Sequence, residues 1–414
     1  MNLRRVVVTG LGGITSLGPD FETTWQGLLA GRNGIGPIES FDTAEFRVNF
    51  AGVVRGYEAA EIFGVKEARK LDRFTQFALT ASEDCLADSK INLEAVDLDR
   101  FGCVLGTGIG GIYAIEQQQI AQLDRGPRRA SPHFVPKMMP NAMSGQVSIR
   151  FGLRGTNFAT SSACASGGHA LAVALRTIQC SDADLVLSGG SEAAVTPLSV
   201  AAFASMKALS TRVDEPERAS RPFDKDRDGF VLGEGAGILL LEERDHALAR
   251  GATIYAEFRG FGSSADAFHI TQPKEDGAGP RKAMELALGT SDCRPEDVDY
   301  INAHGTSTYF NDLVESQAIR QAFGAHADTL AVSSTKSMIG HLLGGSGAIE
   351  AAVTCRSIHE SRVHPTRNHE SPGENCDLDY VPGEARELSI RNATSNSLGF
   401  GGHNICLLFG RHDD

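Results

Sequence analysis

Basic residues are scarce in this chain of 414 residues, leaving a formal net charge of -13. General binding to nucleic acid asks for a basic face and a high isoelectric point, and is disfavoured; an acidic partner would need a local positive patch. Cysteine pairs at C-x-x-C spacing are absent, and the eight thiols, at 85, 103, 164, 180, 293, 355, 376 and 406, are scattered. That distribution argues against a disulfide framework and predicts reduced thiols in a cytoplasmic protein. Long apolar runs are missing as well. The N-terminal MNLRRVVVTGLGG passes from two arginines straight into a β-branched strand with no signal-peptide core. No stretch is long enough to cross a bilayer, so neither export nor a spanning helix is expected.

A chain of this length is expected to form two similar-sized domains or one large compact unit. Short apolar runs alternate with longer helical segments, the pattern of an α/β protein with buried strands. Strands are expected at Arg5 to Thr9, Phe101 to Leu105, Asn157 to Thr160, Asp184 to Ser188, Ile238 to Leu241, Ile254 to Phe261, Val298 to Ala303, Leu330 to Ser333 and Asn404 to Phe409. Helices are expected at Phe21 to Ala30, Leu71 to Ser89, Asn141 to Phe151, Cys164 to Cys180, Ala278 to Leu288, Asp312 to Phe323 and His341 to His359. A strand, a Gly-rich turn and a helix recur around 5–30 and 254–290, a loose internal likeness. Thr211 to Gly229, rich in Arg, Asp and Pro, reads as a long surface loop.

Three stretches carry the chemistry: SSACASGG around Cys164, NAHGTST around His304, and STKSMIGHLLGGSGAIE with Lys336, His341 and Glu350. Cys164 stands where a strand gives way to a small-residue helix; N–H groups at a helix start stabilise a thiolate, lower its pKa and can hold an oxyanion. His304 follows a strand, where sites on α/β sheets commonly lie. His341 is expected to begin a helix, a position that biases an imidazole toward its neutral, hydrogen-bond-donating form. Lys336 and Glu350 lie among small and apolar residues, so burial should pair them with each other or with Asp312. Alone, Cys164 reads as a small core residue and His304 as a ring satisfied by nearby hydroxyls. Together they suit carbon–carbon bond formation on thioesters. Cys103, Cys180 and Cys406 are expected in the core, and His169 as structural.

Two motifs mislead. GTGIGG at 106–111 satisfies G-x-G-x-x-G but lacks the acidic residue expected after a following strand. DKDRDG at 224–229 imitates a calcium loop, but Gly235 occupies the place of its closing Glu. Basic residues cluster at Lys66, Arg69, Lys70 and Arg73, and at Arg125, Arg128 and Arg129; such runs are usually solvated faces.

The motifs VVVTGLGGITSLG, SPHFVPKMMPN, SSACASGG, ADLVLSGGSEA, KALSTR, SRPFDKDRDGFVLGEGAGILLLE, NAHGTST, STKSMIGHLLG and NSLGFGGHN span nearly the whole chain. In them the sequence resembles the elongating β-ketoacyl-acyl carrier protein synthases. The resemblance implies a thiolase-like, five-layered αβαβα fold of two related halves, here 1–252 with Cys164 and 253–414 with His304 and His341, and a homodimer. It implies that Cys164 takes an acyl chain from acyl carrier protein, while His304 and His341 bind a malonyl thioester, promote its decarboxylation and stabilise the enolate. It implies an oxyanion hole from the N–H groups of Cys164 and Phe400, with Phe400 also a gate. Thr306 and Thr308 match positions contacting a pantetheine arm, and Ile109 and Phe203 match acyl-pocket positions. Lys66, Arg69, Lys70, Arg128, Arg129 and Lys207 match the surface that docks the acidic carrier. No metal or organic cofactor, nucleic acid or membrane is implied.

The chain departs from the family's usual residues at Ser162, Ile339, Leu398, Tyr309 and Phe310, none of which removes a catalytic group. The catalytic ketosynthase of a type II polyketide system is the runner-up reading. From a different class, a non-catalytic acyl-binding or chain-length subunit is disfavoured by the intact Cys164, His304 and His341. A degradative thiolase is disfavoured because its second catalytic cysteine has no counterpart motif.

Overall fold

A computed structural model describes residues 3–413. Its centre is one ten-stranded mixed sheet. The strands are β1 (Val6–Ile14), β2 (Phe101–Gly106), β3 (Asn157–Thr160), β4 (Leu185–Glu192), β5 (Gly235–Glu243), β6 (Ala256–Ala265), β7 (Tyr300–Asn302), β8 (Ala331–Ser333), β9 (Asn392–Gly399) and β10 (His403–Gly410). Their spatial order is β8-β7-β9-β10-β6-β1-β5-β4-β2-β3. Reading outward from the centre, β1-β5-β4-β2-β3 and β6-β10-β9-β7-β8 are the same five-strand arrangement laid down twice, joined by the antiparallel contact of Val7 and Val8 with Glu257 and Ala256.

The principal helices are α1 (Phe21–Leu29), α2 (Arg73–Ser89), α3 (Ile112–Arg125), α4 (Ala142–Phe151), α5 (Ser166–Gln179), α6 (Pro197–Ser205), α7 (Ala278–Thr290), α8 (Tyr309–Phe323) and α9 (Ser346–Glu360). In α2 the Asp72 carboxylate caps the Phe74 N–H, and Phe74, Phe77, Ala78, Ala81 and Cys85 recur at helical spacing on the face against β1 and β5. Each fully buried phenylalanine there contributes about 2–3 kcal/mol. Helix α7 covers β6 and β10 in the same way. Between the half-sheets, α5 and α9 pack on one another and on strands of both halves. The result is five layers, helix, sheet, helix, sheet, helix.

Helices α5 and α9 are built of small residues because backbone meets backbone there. A Cβ on Gly167 would lie 2.9 Å from the Gly344 carbonyl oxygen. Cys164 precedes α5 and His341 precedes α9, so the duplication sets these two residues at matching places on either side of the central helix pair.

Strand β9 escaped the sequence pattern. Its Asn392, Thr394, Ser395, Asn396 and Ser397 are all buried, so it lacks the apolar alternation of a half-buried strand. The segment from Thr211 to Gly229 is also less superficial than its composition suggests: Arg221, Phe223, Asp224 and Arg227 are buried. Asp224 accepts backbone N–H bonds from Asp226, Glu370 and Ser371 and pairs with Arg221, so the calcium-like motif is an internal brace. All eight cysteines are free, and Cys180, expected in the core, is exposed just past the end of α5. Among the described residues no helix is long and apolar enough to cross a membrane.

Candidate active site

Each functional side chain stands on a turn beyond a strand end. After β3 the chain turns through Ala163, whose φ of 51° is left-handed, a conformation costly for a residue with a Cβ and typical of sites that over-determine their backbone. The Ser166 hydroxyl ties this turn, accepting from Ser162 N–H and donating to the Ala163 carbonyl. Cys164 therefore sits two residues before α5, its side chain buried. His304 follows β7. Buried Glu315 of α8 accepts the N–H groups of His304 and Gly305, both at 2.8 Å, and Asp312 accepts those of Thr306, Ser307 and Phe223. His341 does not begin a helix as expected. It lies in a bridge to the segment after Phe230, its N–H bonded to the Val231 carbonyl and its carbonyl to the Gly233 N–H, five residues before α9.

These turns bring one ligand atom each of Cys164, His304 and His341 within 4.8 Å of one another. The two imidazole rings meet edge to face at 5.3 Å, and Phe230 packs edge-on against His341. The hydrogen bonds fix both tautomers. Leu343 N–H donates to Nδ1 of His341 at 3.2 Å, and the Lys336 ammonium donates to Nδ1 of His304 at 3.3 Å. With Nδ1 an acceptor in each ring, Nε2 carries the proton, and each ring presents an N–H donor. The same assignment makes the Ser346 hydroxyl a donor to His341 Nδ1 at 2.8 Å.

The electrostatics agree. Burial, reinforced by Lys336, holds both imidazoles well below the usual histidine range, with His341 further lowering His304. Lys336 and Glu350 are buried and paired with each other, as anticipated, while Asp312 serves the 306–307 turn instead. Burial pushes Glu350 up to about 7 against the opposing pull of Lys336.

The thiol departs from expectation. Burial pushes Cys164 up to about 11, only partly offset by Lys336 and by N–H donation from Phe400 and from Cys164 itself. The turn places Cys164 ahead of α5, where desolvation outweighs the field of the helix start.

A cavity of about 490 Å³ opens from these groups, and Ile109, Phe203, Thr306, Thr308 and Phe400 all line it. So do Tyr309 and Phe310, two of the residues at which the chain departs from the family's usual pattern, each about half exposed at the rim. Of the basic candidates, Lys66, Arg69, Lys70, Arg128, Arg129 and Lys207 are exposed, Lys70 bonded to Glu67, and Lys207 also lines the cavity. Arg73 turns inward to Glu234 and leaves the basic cluster. Cys164, His304 and His341 are also metal-ligand types, but the Nε2–H tautomers present protons where a metal needs lone pairs, and the Lys336 ammonium adjoins His304.

Sequence reasoning missed Glu192 and Glu315. Glu192 ends β4 fully buried and accepts from the Thr107 hydroxyl and from the N–H groups of Gly108, Ile109, Gly110 and Gly344. The dinucleotide-like GTGIGG turn thus cradles an anion, but one supplied by the chain itself. The signal available was the turn's own anion-holding geometry, read with a strand ending in an unexplained Glu. For Glu315, it was the Asp312-to-Glu315 spacing on one helix face.

One five-strand arrangement laid down twice around a central helix pair defines the thiolase-like class of α/β folds, and in this chain it brings a thiol and two imidazoles to the foot of one cavity. The chain belongs to the beta-ketoacyl synthase family: the N-terminal domain of that family matches residues 3–247 and the C-terminal domain residues 255–370. The chain is 52% identical over 409 residues to the 3-oxoacyl-[acyl-carrier-protein] synthase 2 of Synechocystis sp., spanning 99% of this chain and 98% of the relative. It is 47% identical over 406 residues to the enzyme of the same name from Staphylococcus aureus, with 98% of each covered. In structure it resembles a beta-ketoacyl synthase from Burkholderia phymatum (TM-score 0.92, 38% identity, 99% of this chain and 100% of that one). It also resembles a type II polyketide ketosynthase solved in complex with its acyl-carrier protein (TM-score 0.93, 33% identity, 99% and 100% covered).

Proposed function

We propose that this protein elongates fatty acyl chains by two carbons through decarboxylating Claisen condensation on acyl carrier protein. The observation that supports it most is the pairing of one buried thiol with two imidazoles locked as Nε2–H donors. In the first half-reaction the Cys164 sulfur attacks the acyl thioester, the N–H groups of Cys164 and Phe400 hold the oxyanion, and the carrier thiol departs with the proton that Cys164 gives up. In the second, the malonyl thioester carbonyl accepts from His304 and His341. Loss of carbon dioxide leaves an enolate stabilised by the same two donors, so no strong base is needed. The enolate carbon attacks the acyl-enzyme carbonyl, the carbon–sulfur bond breaks, and the Cys164 thiolate released takes a proton from solvent. Lys336, Glu350, Asp312 and Glu315 position the His304 turn. Ile109 and Phe203 line the acyl pocket, Thr306 and Thr308 the pantetheine path, and Phe400 gates it.

Acyl carrier protein is the macromolecular partner, docking on Lys66, Arg69, Lys70, Arg128, Arg129 and Lys207, whose local positive charge on an acidic protein would steer an acidic carrier. We further propose a cytoplasmic homodimer. In support, β3 is a free sheet edge with Phe158 exposed, and Ile120, Leu123 and Ile149 are exposed large apolar residues on α3 and α4. The halves divide at 252/253, in the connection between β5 and β6. The polyketide reading retains the same site; the higher identity to the fatty acid enzymes favours the first reading.

The test is to supply acyl carrier thioesters of several lengths with malonyl carrier and to identify the acylated residue and the products by mass spectrometry. A two-carbon-longer 3-oxoacyl carrier with the acyl group caught on Cys164 is expected. Condensation by Cys164→Ala would overturn the mechanism, and an obligatory non-identical partner chain would favour the polyketide reading.

A further inference from the structure

The catalytic cavity has a smaller neighbour of about 270 Å³, lined by Arg47, Lys207, Thr211 and Asp228 over an apolar floor that includes Val48 and Leu209. Lys207 and Asp228 line both spaces, so the two share a wall. Arg47 and Lys207 are exposed, and among the described residues neither side chain has an ion-pair or hydrogen-bond partner, whereas Arg73, Arg218 and Arg320 are all paired. Two unpaired cations against the single carboxylate of Asp228 leave this concavity a formal charge of about +1, on a chain of net charge -13, and so open to an anion. The acidic residue in the wall does not cancel it by pairing. The Asp228 carboxylate is already engaged by the Ser210 hydroxyl at 2.6 Å and by the Thr211 N–H and hydroxyl at 2.9 and 3.1 Å.

Lys207 is held at this place against its backbone preference. It follows the end of α6 with φ 56°, the left-handed position where glycine or asparagine ordinarily closes a helix. A lysine two residues nearer the helix would complement the dipole without that strain. What the strained position supplies is an ammonium at the junction of the two cavities.

We propose that Arg47 and Lys207 form a subsite for the phosphate of the substrate's pantetheine arm, an inference that rests on the carrier-dependent function proposed above. Between the thioester and its phosphate that arm is a neutral chain of amides and methylenes, so the phosphate is its one anionic handle. The guanidinium of Arg47 supplies a planar fork of donors suited to two phosphate oxygens, and Lys207 a point charge beside it. Reading this group at the rim would register the arm before its thioester reaches Cys164.

The test compares one acyl group delivered on pantetheine, on 4′-phosphopantetheine and on intact acyl carrier protein, following acylation of Cys164 in the full-length protein by mass spectrometry. At sub-saturating concentration the phosphorylated arm is expected to acylate about tenfold faster than the unphosphorylated one. In Arg47→Gln and Lys207→Gln that ratio should fall toward one, while Arg47→Lys keeps part of it. Equal rates from the two free arms in the unmodified protein would overturn the subsite, as would a ratio unchanged in both Gln variants. A loss seen with intact carrier alone, the free-arm ratio being preserved, would mean that the cations read the carrier's acidic surface and would also overturn it. Acylation from none of the three would overturn the condensing-enzyme reading and this subsite with it.

Discussion

The Lys336 ammonium lies 3.3 Å from Nδ1 of His304 and 2.7 Å from that residue's carbonyl oxygen, and its third proton goes to Glu350. All three donors of one buried lysine are thereby engaged. The first makes Nδ1 an acceptor and sends the ring proton to Nε2. The charge behind it disfavours an imidazolium, so the ring stays a neutral donor. Glu350 supplies the counter-charge that lets the lysine remain buried.

Replacing Lys336 with Met removes both effects. His304 is held below the usual histidine range by burial first, then by Lys336, then by His341. Without the ammonium its pKa rises toward the ordinary value, so the neutral donor form is lost at a higher pH. The acid limb of malonyl decarboxylation, measured as carbon dioxide release, should therefore shift upward. The rate at pH 7 should fall by about 10²-fold, the scale of losing one well-placed donor. Without the ammonium Glu350 takes up a proton in its buried site, and the unsatisfied polar groups left there should cost about 1–3 kcal/mol of stability. An acid limb that stays where it was would show that Lys336 is merely structural.

The Cys164 thiol offers a separate pH readout. Because burial sets its pKa at about 11, its alkylation by iodoacetamide should keep rising through pH 9 and reach no plateau near neutrality. A plateau between pH 6 and 8 would mean that the helix start, and not desolvation, governs the nucleophile.

The three stretches around Cys164, His304 and His341 were legible as a candidate site because each is a small-residue turn that ordinary core packing does not require: SSACASGG, NAHGTST and STKSMIGH. The sequence misplaced the start of the helix near His341: Gly344, Gly345 and Gly347 weigh against helix there, and the chain first forms a bridge to Leu232 before the helix begins at Ser346. It misjudged the thiol because desolvation depends on everything packed around Cys164. Strand β9 was invisible because its inward side chains are Asn, Ser and Thr. Glu192 and Glu315 were missed for another reason. Most of their partners are backbone N–H groups, which residue types advertise only weakly, some of them 84 positions away.

Glu192 should then be among the least replaceable residues outside the reacting set. Its oxygens hold Gly108, Ile109, Gly110 and Gly344, linking the cavity wall to the turn that follows His341. In Glu192→Gln an amide NH₂ would face backbone N–H donors, leaving buried polar groups unsatisfied. A loss of about 2–4 kcal/mol is expected, read as a lowered midpoint in chemical denaturation. A midpoint within experimental error of the unmodified protein would remove Glu192 from this role.

Gly399→Ala should separate the two half-reactions. A Cβ at this position would lie 2.8 Å from the Ser162 carbonyl oxygen and 3.2 Å from the Cys164 nitrogen. Backbone atoms at that distance cannot swing aside, so Gly399→Ala must move the strand end that carries Phe400. Phe400 N–H is one of the two donors proposed for the acyl oxyanion, and its displacement should slow acylation of Cys164 by about 10²–10³-fold. The His304 and His341 donors are fixed by Lys336, Leu343 and Ser346, none of which touches Gly399 through these bonds, so malonyl decarboxylation should fall far less. Rapid-quench measurement of acyl-enzyme formation beside carbon dioxide release distinguishes the two. Equal losses in both would place the oxyanion hole and the decarboxylation donors in one indivisible unit, contrary to the division of labour argued from their hydrogen bonds.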